Sequence, residues 1–436
     1  MKSKSQIRAL SVIANQRKLG TVLYADDKLS FRYDQSWQEW EQAFALSVSM
    51  PVSAGTYDHD VVEPYLWGLL PDNNDILDQY AKQFHVSPRN VFRLLEHLGE
   101  DCPGAIQFIP EESEDKLLSG SYREEVDWIT AEGLNDLIGS IKRNKGLQRL
   151  SISHGQFSLA GAQPKTALYK CKNTGRWGVP KGVTPTTHIL KPAVGDLDGF
   201  AENEHYCLKL AEAIGLNTVK SSVIKCGDIP VIVVERYDRF FVNETLVRIH
   251  QEDMCQARSV YPSRKYENEG GPSVSQMAET LWDVSHDALK DIQGLADALI
   301  FNYLIIGTDA HAKNYSLLHL RSNYIRMTLL YDVASILPYP NIYESRRVKL
   351  AMKIGSDYLL RKIERRHWEM CAKQLKLKPQ YLLERLKQLA QSILQNTDSV
   401  AAKLHDDGLS DPIIDKLSTL IKQRAEDVLT QYSDSI

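Results

Sequence analysis

The chain is short of most features that would place it outside the ordinary class of reduced, globular proteins. Cysteine is sparse: Cys102, Cys171, Cys207, Cys226, Cys255 and Cys371 are scattered through 436 residues with no C-x-x-C pair. That spacing excludes a zinc ribbon and a thioredoxin-type redox pair and leaves reduced core thiols. Long hydrophobic runs are missing too. The most apolar stretch, residues 298–307, carries Asn302 and is half the roughly 20 residues a membrane span requires. The basic start of the chain has only a short apolar stretch, broken by Asn15, Gln16, Arg17 and Lys18, so no secretory leader is expected. No charge of one sign dominates: 52 Lys and Arg face 56 Asp and Glu, a net −4. Such a balance does not coat nucleic acid or membrane by bulk electrostatics. Apolar residues at 43% and charged residues at 25%, with no low-complexity tract, exclude disorder. A cytoplasmic protein with no membrane partner is expected.

At roughly 150 residues per domain the length predicts two or three domains. Short β-type runs at 8–13, 21–24 and 29–33, with turn residues at Gly20 and Asp26-Asp27, predict a small antiparallel sheet. Helical patterns follow at 76–84 and 91–98, the second with Ser87 as its expected N-cap. Residues 1–110 therefore read as an α+β N-terminal subdomain. The polar stretch 111–125 reads as a linker, followed by a capped helix near 130–142. Further β-type runs lie at 167–169, 187–190, 219–224 and 231–235, interrupted by a helix over 202–214 that should close at Gly215. Residues 111–238 thus form a linker and β-rich lobe, and 239–436 a helical lobe interrupted by a hairpin around 314–330.

Three segments carry chemistry. Phe157-Ser-Leu-Ala-Gly-Ala-Gln-Pro-Lys-Thr166 is a run of small residues between β-type segments. Ala160, Gly161 and Ala162 would let backbone N–H groups approach a phosphate, with Gln163 and Lys165 completing the contact, although a tight hairpin explains the run equally well. His188-Ile-Leu-Lys191-Pro ends a β-run in a lysine, and Glu204 opens the next helix. A lysine that holds nucleotide phosphates needs such a carboxylate to fix its head, yet a surface pair would look the same. In Ile306-Gly-Thr-Asp309-Ala-His-Ala-Lys-Asn314, Asp309 and Asn314 are five apart. This is the spacing of a kinase catalytic loop, in which the aspartate orients the hydroxyl nucleophile and the asparagine ligates Mg²⁺. Asp332 closes the apolar run Met327-Thr-Leu-Leu-Tyr, where a second hard oxygen ligand for the metal belongs. The order of parts, with a hinge expected at Glu235-Arg-Tyr-Asp-Arg239, is that of a phosphotransferase. Glu252 and Asp253, in His250-Gln-Glu-Asp-Met-Cys-Gln256, could support a hydroxyl substrate or the catalytic loop. His250 and Cys255 lack the second pair a soft-metal site needs.

The sequence resembles the HipA-type serine/threonine kinases, the toxin half of bacterial HipA–HipB toxin–antitoxin modules. Tyr65-Leu-Trp-Gly-Leu-Leu-Pro-Asp-Asn, Ser158-Leu-Ala-Gly-Ala-Gln, Thr184-Pro-Thr-Thr-His188, Val234-Glu-Arg-Tyr-Asp-Arg239, Gln251-Glu-Asp-Met-Cys-Gln256, Lys265-Tyr-Glu and Asp309-Ala-His-Ala-Lys-Asn314 carry the resemblance over essentially the whole length. It implies an α+β, two-lobed, protein-kinase-like fold with a small N-terminal subdomain, a β-rich ATP-binding lobe and a helical C-lobe. It implies Asp309 as the catalytic aspartate, Asn314 and Asp332 as Mg²⁺ ligands and Lys191 as the nucleotide-phosphate lysine. Glu235 and Tyr237 would lie at the adenine-binding hinge, with His311 and Lys313 also beside ATP. Ser158 matches the serine that such kinases autophosphorylate to switch themselves off, and a dianion there would repel the ATP phosphates. Pro164 departs from the family pattern and removes one backbone N–H from that loop.

The resemblance further implies a HipB-like helix-turn-helix antitoxin, operator DNA held through that complex, and an aminoacyl-tRNA synthetase substrate, glutamyl-tRNA synthetase first among them. A small-molecule phosphotransferase shares the Asp-x₄-Asn logic but usually shows H-G-D, where this chain has Gly307-Thr308-Asp309. A pseudokinase-like co-repressor is the reading from a different class, and the intact Lys191, Asp309, Asn314 and Asp332 speak against it. The net charge also hides a patch. Residues 346–378 contain eleven basic and three acidic residues, and Arg365 and Arg366 are the candidate DNA-phosphate contacts there.

Overall fold

Asn15 and Gln16 (φ 45° and 63°), and again Asp26 and Asp27 (φ 50° and 58°), are consecutive residues in the left-handed region, the pair that closes a two-residue hairpin with the twist of its strands. The computed structural model of the chain describes residues 7–119, 125–143, 163–182, 184–193, 197–243, 245–340 and 347–433. In it these turns join strands Arg8–Ala14, Arg17–Ala25 and Lys28–Tyr33. Thr56–Asp58 and Ile106–Pro110 complete an antiparallel five-stranded sheet. Gly20, expected in a turn, lies inside the second strand instead. A Cβ there would stand 2.4 Å from the Arg32 carbonyl oxygen and 2.6 Å from the Phe31 ring, so glycine serves close strand approach next to a bulge in the register.

The chain divides into two compact units, one of Met1–Lys191, Glu235–Ser263 and Ser316–Ile325, the other of Pro192–Val234, Arg264–Tyr315 and Arg326–Ile436. In the first, helices His59–Leu69 and Val91–Leu98 bury Tyr65, Leu66, Phe92 and Leu95 with Val12 and Phe31 of the sheet in one core. The N-cap of Val91–Leu98 is Asn90, whose side chain accepts from the Arg93 N–H, while Ser87 holds the turn before it. The expected linker after residue 110 begins as helix Glu111–Leu118. Its acidic first turn suits a helix N-terminus, and Glu114 anchors it by accepting from Ser11 and from Lys18 at 2.7 Å. Thr130 caps helix Ala131–Arg143 as expected. Glu125–Trp128, Trp177–Lys181, Thr166–Lys170 and His188–Pro192 then lie side by side, antiparallel.

In the second unit, helix Phe200–Ala213 leads to Gly215, which takes the expected positive φ of 85°. It packs on helices Pro379–Asp406 and Ile413–Gln431, which pack on each other. The first of these opens with proline in its first turn and buries Leu382, Leu386, Leu389 and Ile393 at three- and four-residue spacing. Helices Val274–Val284 and Ala288–Ile305 pack together beside them. The expected hairpin after Asn314 is present as strands Ser316–Leu320 and Tyr324–Met327, with Ser316–Ile325 counted in the first unit. A second hairpin, Lys349–Ile354 with Asp357–Leu359, interrupts the helical run. Gly355 turns it at φ 65°, with space for no Cβ beside the His367 carbonyl oxygen. Among the described residues no helix is long and apolar enough to cross a membrane.

Buried and half-buried histidines give the fold an acid-sensitive side. Burial pushes the His250 imidazole down to about 3, and those of His188 and His205 down to about 4. Between those values and the ordinary value of about 6.5, the unfolded chain binds protons that the folded chain does not. Stability from these groups is therefore present above pH 6.5 and is lost as pH falls below it. Urea unfolding is expected to show a lower midpoint at pH 5 than at pH 7.5, with a smaller drop in His205→Asn. An identical drop in that variant would exclude the histidine from the effect.

Candidate active site

The loop that carries Asp309 is aimed by a helix end. Helix Ala288–Ile305 stops at Ile306, which takes the left-handed conformation (φ 54°). Gly307 N–H then bonds back to the Asn302 carbonyl at 2.8 Å. A Cβ on Gly307 would stand 2.3 Å from Asn302 Oδ1, so only glycine passes this turn without displacing the asparagine. Asp309 emerges just beyond it with an exposed side chain.

The Asp309 carbonyl oxygen accepts from the His311 N–H at 2.8 Å and from Asn314 Nδ2 at 3.1 Å. Asn314 Nδ2 also donates to the Asp332 carbonyl at 3.4 Å. With its nitrogen spent on two carbonyls, Asn314 presents an oxygen on its other side. Asp332, exposed and at φ 57°, supplies a carboxylate from the adjoining segment. Amide oxygen and carboxylate are hard donors, the chemistry that suits Mg²⁺ or Ca²⁺ and not a soft metal. No cluster of three or more His, Cys, Asp or Glu with metal-binding geometry exists among the described residues, so any cation here would draw further oxygens from a ligand.

The two segments are locked together. Tyr331 donates to the Lys313 carbonyl at 2.7 Å, and Ser335 Oγ donates to the Ile305 carbonyl at 2.5 Å. Leu330 exchanges backbone hydrogen bonds with Asn217 and Val219. Asn203, in helix Phe200–Ala213, clamps Ser335 through both backbone groups, donating to its carbonyl at 2.7 Å and accepting from its N–H at 3.0 Å. Asn203 is flanked by Glu202 and Glu204, all three buried. Burial pushes the Glu202 carboxyl above its ordinary range. The second unit thus brings Asp309, His311, Lys313, Asn314 and Asp332 together and ties them to the helix that bears Glu204. His311, Lys313 and Asn314 are buried, which fixes the backbone between the two exposed aspartates.

Gln163, Lys165, Lys191, Glu235 and Tyr237 lie in the first unit. Thr166 pairs with Leu190, so Lys165 and Lys191 come to the same end of one antiparallel pair, Lys191 buried and Lys165 half-buried. Gln163 is half-buried beside them in sequence. Glu235 is exposed, and Tyr237 donates its hydroxyl to Gln251 Oε1. Ser158, Ala160, Gly161 and Ala162 lie outside the described residues. Arg365 and Arg366 are exposed at the start of helix Arg365–Gln374, with Arg365 paired to Glu369 at 2.8 Å and Arg366 to Glu364 at 3.1 Å.

Glu252 and Asp253 sit on strand His250–Asp253, which pairs with Ser316–Leu320 just after the Asp309–Asn314 loop. Glu252 is fully buried in the first unit, where it accepts from His319 Nε2 at 2.7 Å, the Val48 N–H at 2.8 Å and the Ser47 hydroxyl. Asp253 caps the helical turn Met254–Ala257 in a capping box with Gln256. Sequence reasoning missed Asn203 and Tyr266, whose hydroxyl donates to Asp309 Oδ1 at 2.5 Å. An asparagine between two glutamates at the start of the helix after the lysine strand was the available signal for the first, and the Lys265-Tyr-Glu motif for the second.

Family models match the chain twice: the HipA N-terminal domain over residues 10–109 and the HipA-like C-terminal domain over residues 157–397. The putative kinase Y4mE of Sinorhizobium fredii is 34% identical over 408 residues, 92% of this chain and 93% of that protein. The serine/threonine-protein kinase toxin HipA of Shewanella oneidensis is 28% identical over 347 residues, 76% of this chain and 75% of that one. The solved HipA–HipB–operator DNA complex of Shewanella oneidensis contains a chain that superposes with a TM-score of 0.82 at 25% identity, covering 98% of both.

Proposed function

The chain belongs to the HipA family of serine/threonine-protein kinases, and from that membership we propose that it is the toxin of a type II toxin–antitoxin pair, using ATP and Mg²⁺ to phosphorylate a serine of an aminoacyl-tRNA synthetase. Glutamyl-tRNA synthetase is the first candidate, and the consequence is arrested translation and persistence. The observation that carries the reading is the Asp309–Asn314–Asp332 arrangement, one exposed carboxylate for a hydroxyl and two hard oxygens for a cation, held by backbone carbonyls.

In this reading Asp309 accepts the proton of the substrate hydroxyl as its oxygen attacks the γ-phosphorus and ADP leaves. Asn314 and Asp332 hold the metal, which when bound supplies neutralisation of the triphosphate charge. Lys191, with Lys165 and Gln163 at the same end of the strand pair and Ala160 to Ala162 before them, takes the phosphates. Glu204 orients the lysine, His311 and Lys313 line the nucleotide, and Glu235 and Tyr237 take the adenine. Phosphorylation of Ser158 would place a dianion in the loop that cradles ATP and switch the kinase off. The likeness to the Shewanella chain solved with HipB and operator DNA supports a HipB-like antitoxin and DNA as partners in the cytoplasm. Arg365 and Arg366 are the candidate DNA contacts, reached by opening their pairs with Glu369 and Glu364.

Phosphoproteomics after induction of the wild-type chain and of Asp309→Ala in parallel tests this. A synthetase phosphoserine that appears with the wild type alone is expected. Phosphosites that appear equally with both chains, or none on any synthetase, would reject the assignment.

A further inference from the structure

The Asp309 side chain stands in solvent on a short loop, where a carboxylate is free to rotate unless something holds it. Its backbone is pinned by Asn314 and His311, but those bonds end at the carbonyl. Among the described residues, the side chain that hydrogen-bonds its carboxylate is Tyr266, donating to Oδ1 at 2.5 Å.

Tyr266 is itself built in. Its ring meets that of His311 edge to face, with centroids 5.1 Å apart and planes at 88°. Its carbonyl accepts from the Glu269 and Gly271 N–H groups at 2.9 Å, closing a tight turn. A Cβ on Gly271 would stand 2.3 Å from the Arg264 carbonyl oxygen and 2.8 Å from that of Tyr266. The neighbours are tied as firmly. Lys265 accepts from the Ala312 N–H at 3.2 Å, inside the catalytic loop, and Glu267 Oε2 accepts from the Lys353 N–H at 2.8 Å. The segment Lys265-Tyr-Glu therefore grips the loop from one side, and its phenol is placed before any substrate arrives.

We propose that Tyr266 is a positioning residue for phosphoryl transfer: its phenol fixes one carboxylate oxygen of Asp309 and so aims the other at the incoming substrate hydroxyl. This rests on Asp309 being the catalytic carboxylate. A carboxylate offers about four lone-pair sites, so the phenol and the substrate hydroxyl are accepted together and neither displaces the other. The phenol keeps its proton throughout. What it supplies is orientation, which acts on the chemical step and not on nucleotide affinity.

Tyr266→Phe removes the hydroxyl and keeps the ring against His311. Transfer of ³²P from [γ-³²P]ATP to the chain itself, measured across ATP concentrations, is expected to show the maximal first-order rate constant lowered by about 10- to 100-fold with half-saturating ATP within about twofold. The thermal midpoint, measured alongside, is expected to stay at the wild-type value, which separates positioning from loss of fold. An unchanged rate constant overturns the proposal, as does a loss that merely follows a fallen midpoint. A raised rate constant also overturns it and makes the phenol a brake. A wild-type chain that transfers no phosphate rejects the kinase reading itself, and the proposal falls with it.

Discussion

Asp309→Asn is expected to lower phosphoryl transfer by about 10³-fold, within the 10²–10⁴ range that a positioned acid–base group contributes. Asparagine keeps the size of the side chain and an oxygen to accept from Tyr266, so the loop has no reason to move. What it loses is the second anionic oxygen that, in the proposed mechanism, orients the hydroxyl and takes its proton. Because Asp309 is exposed and its backbone is held by Asn314 and His311, folding stability should change little. Nucleotide affinity, titrated calorimetrically with Mg²⁺ and ATP, should stay within about threefold, since uniform binding is untouched when a transition-state interaction is removed. Growth arrest on induction should disappear with the activity. Retention of a tenth of the wild-type rate would remove Asp309 from the chemistry, and a parallel loss of ATP binding would make its role structural.

The parts of the site that could be read from sequence are those whose meaning is local. Asp309 and Asn314 sit five apart on one loop, and a single amide reaches back to the Asp309 carbonyl, so spacing alone encodes the contact. Gly215 at a helix end and Asp26-Asp27 in a hairpin are equally local. Glu252 shows the opposite case. Its partners Ser47, Val48 and His319 lie 205, 204 and 67 residues away, and nothing beside it in sequence distinguishes a buried anchor from a substrate carboxylate. Tyr266 reaches Asp309 across 43 residues, so its motif was visible while its role was not. Gly20 was read as a turn because glycine marks both turns and close strand approach, and only the neighbouring strand decides between them. In Glu235-Arg-Tyr-Asp-Arg239, read as a hinge, Glu235 is exposed and Tyr237 half-buried while Arg236, Asp238 and Arg239 turn inward.

Those inward residues carry the largest stability effect to be expected in the molecule. Asp101 accepts at Oδ1 from Arg239 at 2.9 Å and from Arg248 at 3.3 Å, and at Oδ2 from the Thr186 hydroxyl at 2.6 Å and from Arg236 at 3.4 Å. Asp238 accepts from Arg236 and from the Gly104 N–H, both at 2.7 Å. All five charged side chains are buried within the first unit. Burial pushes the Asp101 carboxyl up, but the charges of Arg239, Arg236 and Arg248 outweigh it and hold the group well below the usual carboxylate range. Three cations share two anions, so the cluster has no spare negative charge. Asp101→Ala leaves three buried guanidinium groups with one carboxylate, and breaking a buried ionic network from one side costs about 3–5 kcal/mol. Against a total of roughly 5–15 kcal/mol for a folded domain, that loss is a large fraction. Asp101→Asn, which keeps one acceptor oxygen, should cost less. Urea unfolding followed by tryptophan fluorescence is weighted toward the right region, because five of the seven tryptophans, Trp37, Trp40, Trp67, Trp128 and Trp177, lie in the first unit. The same cluster holds the backbone on both sides of Tyr237, through Arg236 and Asp238. On the proposed assignment of Tyr237 to the adenine, any Asp101→Ala protein that still folds should show a raised KM for ATP, whereas an unfolding midpoint within experimental error of the wild type would mean that the arginines find other partners and that the network does not secure this segment.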